Sequence, residues 1–357
     1  MHPDLFQDLL KDWHLINGRT LPWVDEKNPY KIWLSEIILQ QTRVNQGLPY
    51  YVRFIHSFPD IFALANASES EVFKNWEGLG YYSRARNLHW TSKYIVASCD
   101  GVFPNTYDEI IKLKGIGPYT AAAIASFAFS LPYAVLDGNV HRVISRIFGI
   151  KTDISTPKGR KEIQEIADKL IDRQEPGKFN QAIMDFGASV CLPVSPFCGK
   201  CVFADSCKAF LTDSQKEYPF KKQKPPLRNR YFQLFLIQSG DKICLTHRKE
   251  KDIWRGLYIF PYIETADEKW QVPEVGLKLC GLVIDKKDIR EMEQRDKQLL
   301  THQRIYLNYH LIALSDLPAA IPDKNHFMVP IDKMKSFAFP KFLHLFMNKN
   351  NHIFEYK

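Results

Sequence analysis

Thirteen residues divide this chain. YPFKKQKPPLRNR, residues 218–230, holds three prolines, five lysines or arginines and no acid. Proline removes backbone donors and blocks helix growth, and like charges extend a chain, so the stretch reads as a stiff basic linker. It separates residues 1–217 from residues 231–357, and a chain of 357 residues suits two domains. The texture differs on its two sides. Upstream, apolar residues recur with helical spacing over Asp4–Ile16, Pro29–Val44, Glu69–Trp76, Tyr82–Ser98, Thr106–Leu113, Tyr119–Phe129, Val140–Ile147, Lys158–Asp172 and Pro176–Val190. Downstream, YFQLFLIQ, KICLTHR and RIYLNYHLIAL read as strands. The pattern predicts a mainly α domain followed by an α+β domain.

At 45% hydrophobic and 13% aromatic residues, the chain can build sizeable cores and is unlike a disordered protein. The start, MHPDLFQDLLKDW, lacks a basic segment followed by an apolar one, so no secretory signal is expected. The longest apolar run, Thr120 to Leu136, is interrupted by Ser126, Ser130 and Pro132, too broken to span a bilayer. A soluble, intracellular, cytoplasmic protein with no membrane partner is expected. Residues 1–220 balance 24 Lys and Arg against 24 Asp and Glu, so the whole net charge of +8 lies beyond them. A basic surplus suits an anionic polymer, although a solvated basic face gives the same count.

Cys191, Cys198, Cys201 and Cys207 form C-x6-C-x2-C-x5-C. Without a secretion signal a disulfide framework is disfavoured. Four thiols in so short a span can wrap one metal centre. Zinc sites with four cysteines usually offer two closely spaced pairs, and here only Cys198 and Cys201 make one. The spacing leaves zinc open and favours an iron–sulfur cluster.

LKGIGPYTA, residues 113–121, places Gly115 and Gly117 at a tight turn between helices. Glycines let backbone approach a phosphate, and amides at the following helix start can donate to its oxygens. A plain helix connection has the same pattern. Farther on, LDGNVHRVISR puts Asp137 and Asn139 where a helix begins. Either residue suits an ordinary N-cap, and Asp137 equally suits an anion beside a developing cation. WLSEIILQQT sets Glu36 in a run where seven of the ten residues Tyr30–Leu39 are apolar. Lys31, Ser35, Glu36, Gln40 and Arg43 share one narrow stripe at helical spacing, which by itself reads as a surface face.

Taken together, LPW, WLSEIILQQTRV, WEGLGYYSRARNL, LKGIGPYTAAAIASFAF, LDGNVHRVISR, FNQAIMDFGASVC and the four-cysteine loop resemble the MutY-type adenine DNA glycosylases. These belong to the helix–hairpin–helix superfamily that includes endonuclease III, and the resemblance covers nearly all of residues 1–210. It implies a helical glycosylase domain with a DNA groove, a 4Fe-4S cluster on Cys191, Cys198, Cys201 and Cys207, and excision of adenine mispaired with 8-oxoguanine or guanine in double-stranded DNA. By motif match Glu36 is the catalytic acid and Asp137 the carboxylate that stabilises the sugar cation, with Tyr119 and Asn139 in support. Arg19, Trp23 and Gln181 fall at adenine-pocket positions. Gln41, Thr42, Leu79 and Tyr81 fall around the lesion base, and Gly115 and Gly117 form the DNA-backbone clamp.

Two positions depart from relatives. Bifunctional members carry a lysine where this chain has Tyr119, and a phenol cannot form the Schiff base of a lyase. A glycosylase without strong strand-cleaving activity is therefore expected. Many relatives have arginine after LPW; Val24 stands there, which removes a hydrogen-bonding cation from the pocket edge.

In the second domain IWRGLYIFP, residues 253–261, resembles the GLW-x-FP element of the C-terminal, Nudix-like domain of the same family. A working Nudix enzyme needs R-E-x-x-E-E to hold its metal; none follows Pro261, and EMEQRDK lacks the spacing. The resemblance makes 231–357 a lesion-recognition module, with Thr301 and His302 in its reading loop. A monomer is expected. Two other readings are an endonuclease III-like enzyme for oxidised pyrimidines and a catalytically silent iron–sulfur DNA-binding protein. Tyr119 and the extra domain disfavour the first, and the pair Glu36 and Asp137 disfavours the second.

Overall fold

The computed structural model describes residues 1–222, 226–314, 321, 323 and 325–354. It forms two compact units, residues 1–67 with 86–224, and residues 68–85 with 225–357.

The first unit is helical. Asn28 caps the helix Pro29–Leu39 by accepting from the Tyr30 amide at 3.0 Å, and Pro29 supplies the first turn. Tyr30, Ile32 to Leu34 and Ile37 to Ile38 leave it no broad polar face, so it is enclosed, with Ser35 and Glu36 buried among them. It packs on the helix Pro118–Phe129, whose Thr120 to Ser126 are all buried. A single helix over Pro29–Val44 is not found. It stops at Leu39, because Gln41 takes a left-handed φ of 58° and the Thr42 amide turns back to the Leu39 carbonyl. Arg43 thus leaves the stripe that Glu36 occupies.

Among the helices absent from the sequence pattern, Val44–Ser57 contains Pro49 in its interior, and burial of Tyr51 and Phe54 outweighs that break. Ile61–Asn66 is short and depends on Asp60, which accepts from the Ala63 amide at 2.8 Å. Beyond the helix Pro176–Ser189, fully buried Phe203 pins the cysteine loop to the core. Its ring stacks on Phe6 at 4.6 Å and meets Phe186 edge-on at 5.2 Å. Burying such a ring contributes about 2–3 kcal/mol.

The second unit is a mixed sheet. Arg228–Ser239 runs parallel to Gln303–Ala313 and antiparallel to Lys242–His247 and Tyr262–Thr265. Its residues alternate: Phe232, Leu234 and Leu236 join a core with Phe342, Leu343 and Phe346 of the helix Lys341–Lys349. Phe235 and Ile237 face the opposite core with Leu277, Leu279 and Ile284. All three expected strands are present. The strand Ile289–Leu299, IREMEQRDKQL, was not anticipated; among the described residues it pairs with Gln303–Ala313 alone, and as an edge it tolerates charge.

Two boundaries differ from the linear division at 217 and 230. Residues 68–85 group with the second unit, where Glu77 accepts from the Phe339 amide at 3.1 Å and Tyr82 donates to the Phe339 carbonyl at 3.3 Å. The last residues of the expected linker belong to the strand Arg228–Ser239. Arg230, 8% exposed, makes paired hydrogen bonds of 2.6–2.8 Å to both Asp252 and Glu264. The Arg230 guanidinium holds Asp252 down to about 2. Since the carboxylates are partly exposed, Arg230→Ala is expected to cost about 2 kcal/mol in urea unfolding of the full chain. The sign with pH follows from the depressed value: this stabilisation is complete above the unfolded-state range near ~4 and is lost as pH falls toward about 2.

Candidate active site

In the helical unit a cavity of about 1100 Å³ opens over the break at Gln40–Arg43. Its lining includes Glu36, Tyr119, Asp137 and Asn139, together with Arg19, Trp23, Gln181, Gln41 and Thr42. Eight residues from five separate motifs, with Arg19 just before the first of them, therefore surround one space.

Glu36 is 7% exposed. Burial pushes its carboxyl up to about 7; a hydrogen bond from Tyr119 pulls down and the charge of Asp137 pushes further up. Asp137 is the N-cap of the helix Gly138–Phe148. It accepts from the Asn139 amide at 2.8 Å, the Val140 amide at 2.7 Å and the Asn139 side-chain amide at 2.7 Å. Burial raises its pKa too, opposed by those three donors and by Arg142. The two carboxyls thus sit in different company. At Glu36 burial and an anionic neighbour favour the neutral form against the single Tyr119 donor, whereas at Asp137 three donors and a guanidinium oppose the effect of burial. Of the two alternatives left open at Asp137, the N-cap is the one these hydrogen bonds form.

Tyr119 stands at the start of the helix Pro118–Phe129, its hydroxyl bonded to Glu36 and 3.6 Å from Met184 Sδ. Gly117 is that helix's N-cap, and Gly115 has φ 86°. A Cβ on Gly115 would lie 2.6 Å from Asn87 Cβ, so both conformation and packing require glycine there. The two glycines make the turn outside the cavity's lining. Val24 is not among the described lining residues, while Arg19 and Arg43 bring guanidiniums to it.

Buried ions around the cavity were missed by sequence reading. Arg142, 8% exposed, donates from NH2 to Asn139 Oδ1 at 2.9 Å and from Nε to the Cys191 carbonyl at 2.6 Å. It thereby ties the Asp137 cap to the cysteine loop. Asp185 is fully buried beneath Arg19 and Gln181. Its spacing of four from Gln181 on one helix was the available signal.

Cys191, Cys198, Cys201 and Cys207 line a separate pocket with Phe186, Val190 and Arg146. Arg146 NH1 lies 3.4 Å from Cys191 Sγ and donates to the Leu192 carbonyl at 2.6 Å. Among the described residues no group of three or more His, Cys, Asp or Glu forms a site for a single metal ion.

The remaining candidates lie in the second unit. Leu79 is buried, and Tyr81 is exposed with φ 49°. The Tyr81 hydroxyl is 2.7 Å from Thr301 Oγ1, across 220 residues of sequence. Thr301 and His302 form the exposed turn between Ile289–Leu299 and Gln303–Ala313. No helix among the described residues is long and apolar enough to cross a membrane.

Comparison with known proteins finds a family for each part of the chain. Residues 34–173 match the HhH-GPD superfamily of base excision DNA repair proteins, and residues 233–349 match the NUDIX domain. The adenine DNA glycosylase of Buchnera aphidicola subsp. Baizongia pistaciae is 41% identical over 310 residues, spanning 85% of this chain and 84% of that protein. A thermostable thymine-DNA glycosylase superposes with a TM-score of 0.55 at 27% identity, covering 59% of this chain and 97% of that one. Endonuclease III in a non-covalent DNA complex gives 0.52 at 20% identity, covering 60% and 100%, and shares the fold. With matching domains in order and a relative aligned over most of its length, this chain belongs to the adenine DNA glycosylase family, base-excision repair hydrolases acting on N-glycosyl bonds.

Proposed function

We propose that this glycosylase removes adenine paired with 8-oxoguanine or guanine in duplex DNA, using Glu36 as the acid and Asp137 as the anion. The observation that carries the reading is the pairing of a carboxyl raised to about 7 with a capped carboxylate on one cavity. Adenine in a duplex is out of reach, so the nucleotide is flipped out at a cost of roughly a few kcal/mol. The sugar gains cation character as the N-glycosidic bond breaks, and adenine is a poor leaving group as an anion. Protonation by Glu36 lets it depart neutral, a contribution of typically ~10²–10⁴-fold. Asp137 faces the oxocarbenium ion. Water completes the hydrolysis.

Tyr119 occupies the position where lyases place lysine, so strand cleavage should need added alkali. The test incubates the full chain with duplexes carrying 8-oxoguanine:A, G:A or thymine glycol:A, and compares breaks with and without alkali. Alkali-dependent breaks at adenine support the reading. Efficient borohydride trapping of a lysine–DNA adduct, or cleavage at thymine glycol, contradicts it.

Cys191, Cys198, Cys201 and Cys207 are read as the ligands of a 4Fe-4S cluster. An all-thiol donor set around one pocket, with apolar walls and the buried Arg146 guanidinium, fits the chemistry of an anionic iron–sulfur group. When bound, the cluster supplies a cross-link that fixes the loop. The chain's own contribution is Arg142, which passes the loop's position to Asn139.

Thr301 and His302 are read as the lesion-contacting pair, supported by their exposure and by the Tyr81–Thr301 hydrogen bond. Thr301→Ala is expected to narrow the preference for 8-oxoguanine:A over G:A by about tenfold, a hydrogen bond's worth. Parallel single-turnover rates on the two duplexes give the ratio, and an unchanged ratio removes Thr301 from lesion reading. The protein is taken to act on DNA as a monomer inside the cell.

A further inference from the structure

Asp185 is the most heavily used acceptor beneath the cavity. It lies on the helix Pro176–Ser189 with 0% exposure. The His14 ring Nε2 donates to it at 3.1 Å, the Arg19 amide at 3.1 Å and Arg19 Nε at 2.8 Å. Arg19 NH2 adds an ion pair at 2.7 Å, and Gln181 Nε2 donates at 2.8 Å. Burial works to raise the Asp185 pKa, but the His14 and Arg19 donors outweigh it and hold the group below the ordinary range.

An ionised carboxylate accepts hydrogen bonds and cannot donate them. A side-chain amide has one donor end and one acceptor end, and which way it points follows from its partners. With one Gln181 Nε2 hydrogen held by Asp185, the amide is fixed in orientation and its acceptor Oε1 is the end turned away from that carboxylate, on the residue that lines the cavity. Arg19 is anchored at Nε and NH2 by the same carboxylate while it lines the same cavity.

We propose that Asp185 is a positioning residue that sets the hydrogen-bond polarity of the base pocket, turning Gln181 so that it offers an acceptor to the flipped base. The inference rests on the adenine reading above. Adenine presents an amino donor at C6, whereas hypoxanthine and guanine present a carbonyl acceptor there. An oriented acceptor welcomes the first and leaves the others facing oxygen against oxygen. Discrimination by an oriented polar group exceeds what apolar shape alone achieves. In Asp185→Asn the new amide can donate as well as accept, so Gln181 is free to turn over.

The test measures single-turnover excision of adenine and of hypoxanthine, each opposite 8-oxoguanine, by wild type, Asp185→Asn and Asp185→Glu, with melting temperature and DNA affinity recorded alongside. Asp185→Asn is expected to lower the adenine-to-hypoxanthine ratio by about tenfold or more. Asp185→Glu retains an acceptor-only group and is expected to restore the ratio even where crowding lowers stability. A ratio unchanged in Asp185→Asn, whatever the fall in rate, assigns Asp185 a merely structural role and overturns the proposal. If Asp185→Asn does not fold, Gln181→Leu decides: loss of adenine excision at least about tenfold greater than loss of hypoxanthine excision supports the oriented acceptor, and equal loss overturns it. A wild type that leaves adenine in place defeats the adenine reading and this inference together. A wild type that excises adenine, with the ratio unmoved by Asp185→Asn, defeats this inference alone.

Discussion

Glu36→Gln is expected to reduce single-turnover adenine excision by at least ~10²–10⁴-fold while DNA affinity stays within about twofold of wild type. Glutamine matches glutamate in size and accepts the Tyr119 hydrogen bond, so the cavity's shape is kept. What is lost is the proton. The same substitution should stabilise the protein in alkali. A carboxyl raised from 4.5 to about 7 by burial contributes stability that is complete below the unfolded-state value and is lost as pH rises through about 7. Above pH 7 the glutamine variant avoids that loss, a gain on the order of 3 kcal/mol. A variant that is inactive yet harder to unfold at pH 8 marks a group kept for chemistry at the expense of stability. Affinity falling in proportion to activity would instead make Glu36 a structural residue.

Asp137→Asn should lose at least ~10²-fold in the same assay, the scale of removing one preorganised electrostatic partner. Asparagine is as good an N-cap as aspartate, and its carbonyl can still accept from the Asn139 and Val140 amides. Melting temperature and DNA affinity should therefore hold. Asp137→Ala removes anion and cap together and should add a stability cost of ~1 kcal/mol. The contrast separates the two roles of one carboxylate. An asparagine variant with near-normal excision would leave Asp137 as a helix cap only.

Much of the first unit was legible because its helices announce themselves. Asn28-Pro29 and Gly117-Pro118 mark starts, and the apolar runs behind them have no alternative to burial. Glu36 was less legible. The narrow polar stripe it shares with Lys31 and Ser35 looks like a surface face, and only the packing of Pro29–Leu39 against Pro118–Phe129 encloses it. Gln41 illustrates a different limit. Nothing in QQTRV marks a left-handed residue, yet that conformation ends the helix and opens the cavity's rim.

Charged residues were the least legible. Arg142, Asp185 and Arg230 read as ordinary surface ions in sequence, since ions are rarely buried without partners. Each takes a partner from a distant segment: Cys191 lies 49 residues from Arg142, Arg19 lies 166 from Asp185 and Glu264 lies 34 from Arg230. The Tyr81–Thr301 contact has the same origin, for pairing across such a separation leaves no periodicity to find. The strand Ile289–Leu299 was hidden because an edge with one neighbour needs little apolar alternation.

The central claim is that a neutral Glu36 donates the proton on which adenine leaves. Its most direct test is the pH dependence of single-turnover excision from an 8-oxoguanine:A duplex. The rate should be high below about 7, where Glu36 keeps its proton, and fall about tenfold per pH unit above it. The fall should be absent from the residual activity of Glu36→Gln. A rate that stays level or climbs between pH 7 and pH 9 would contradict the assignment.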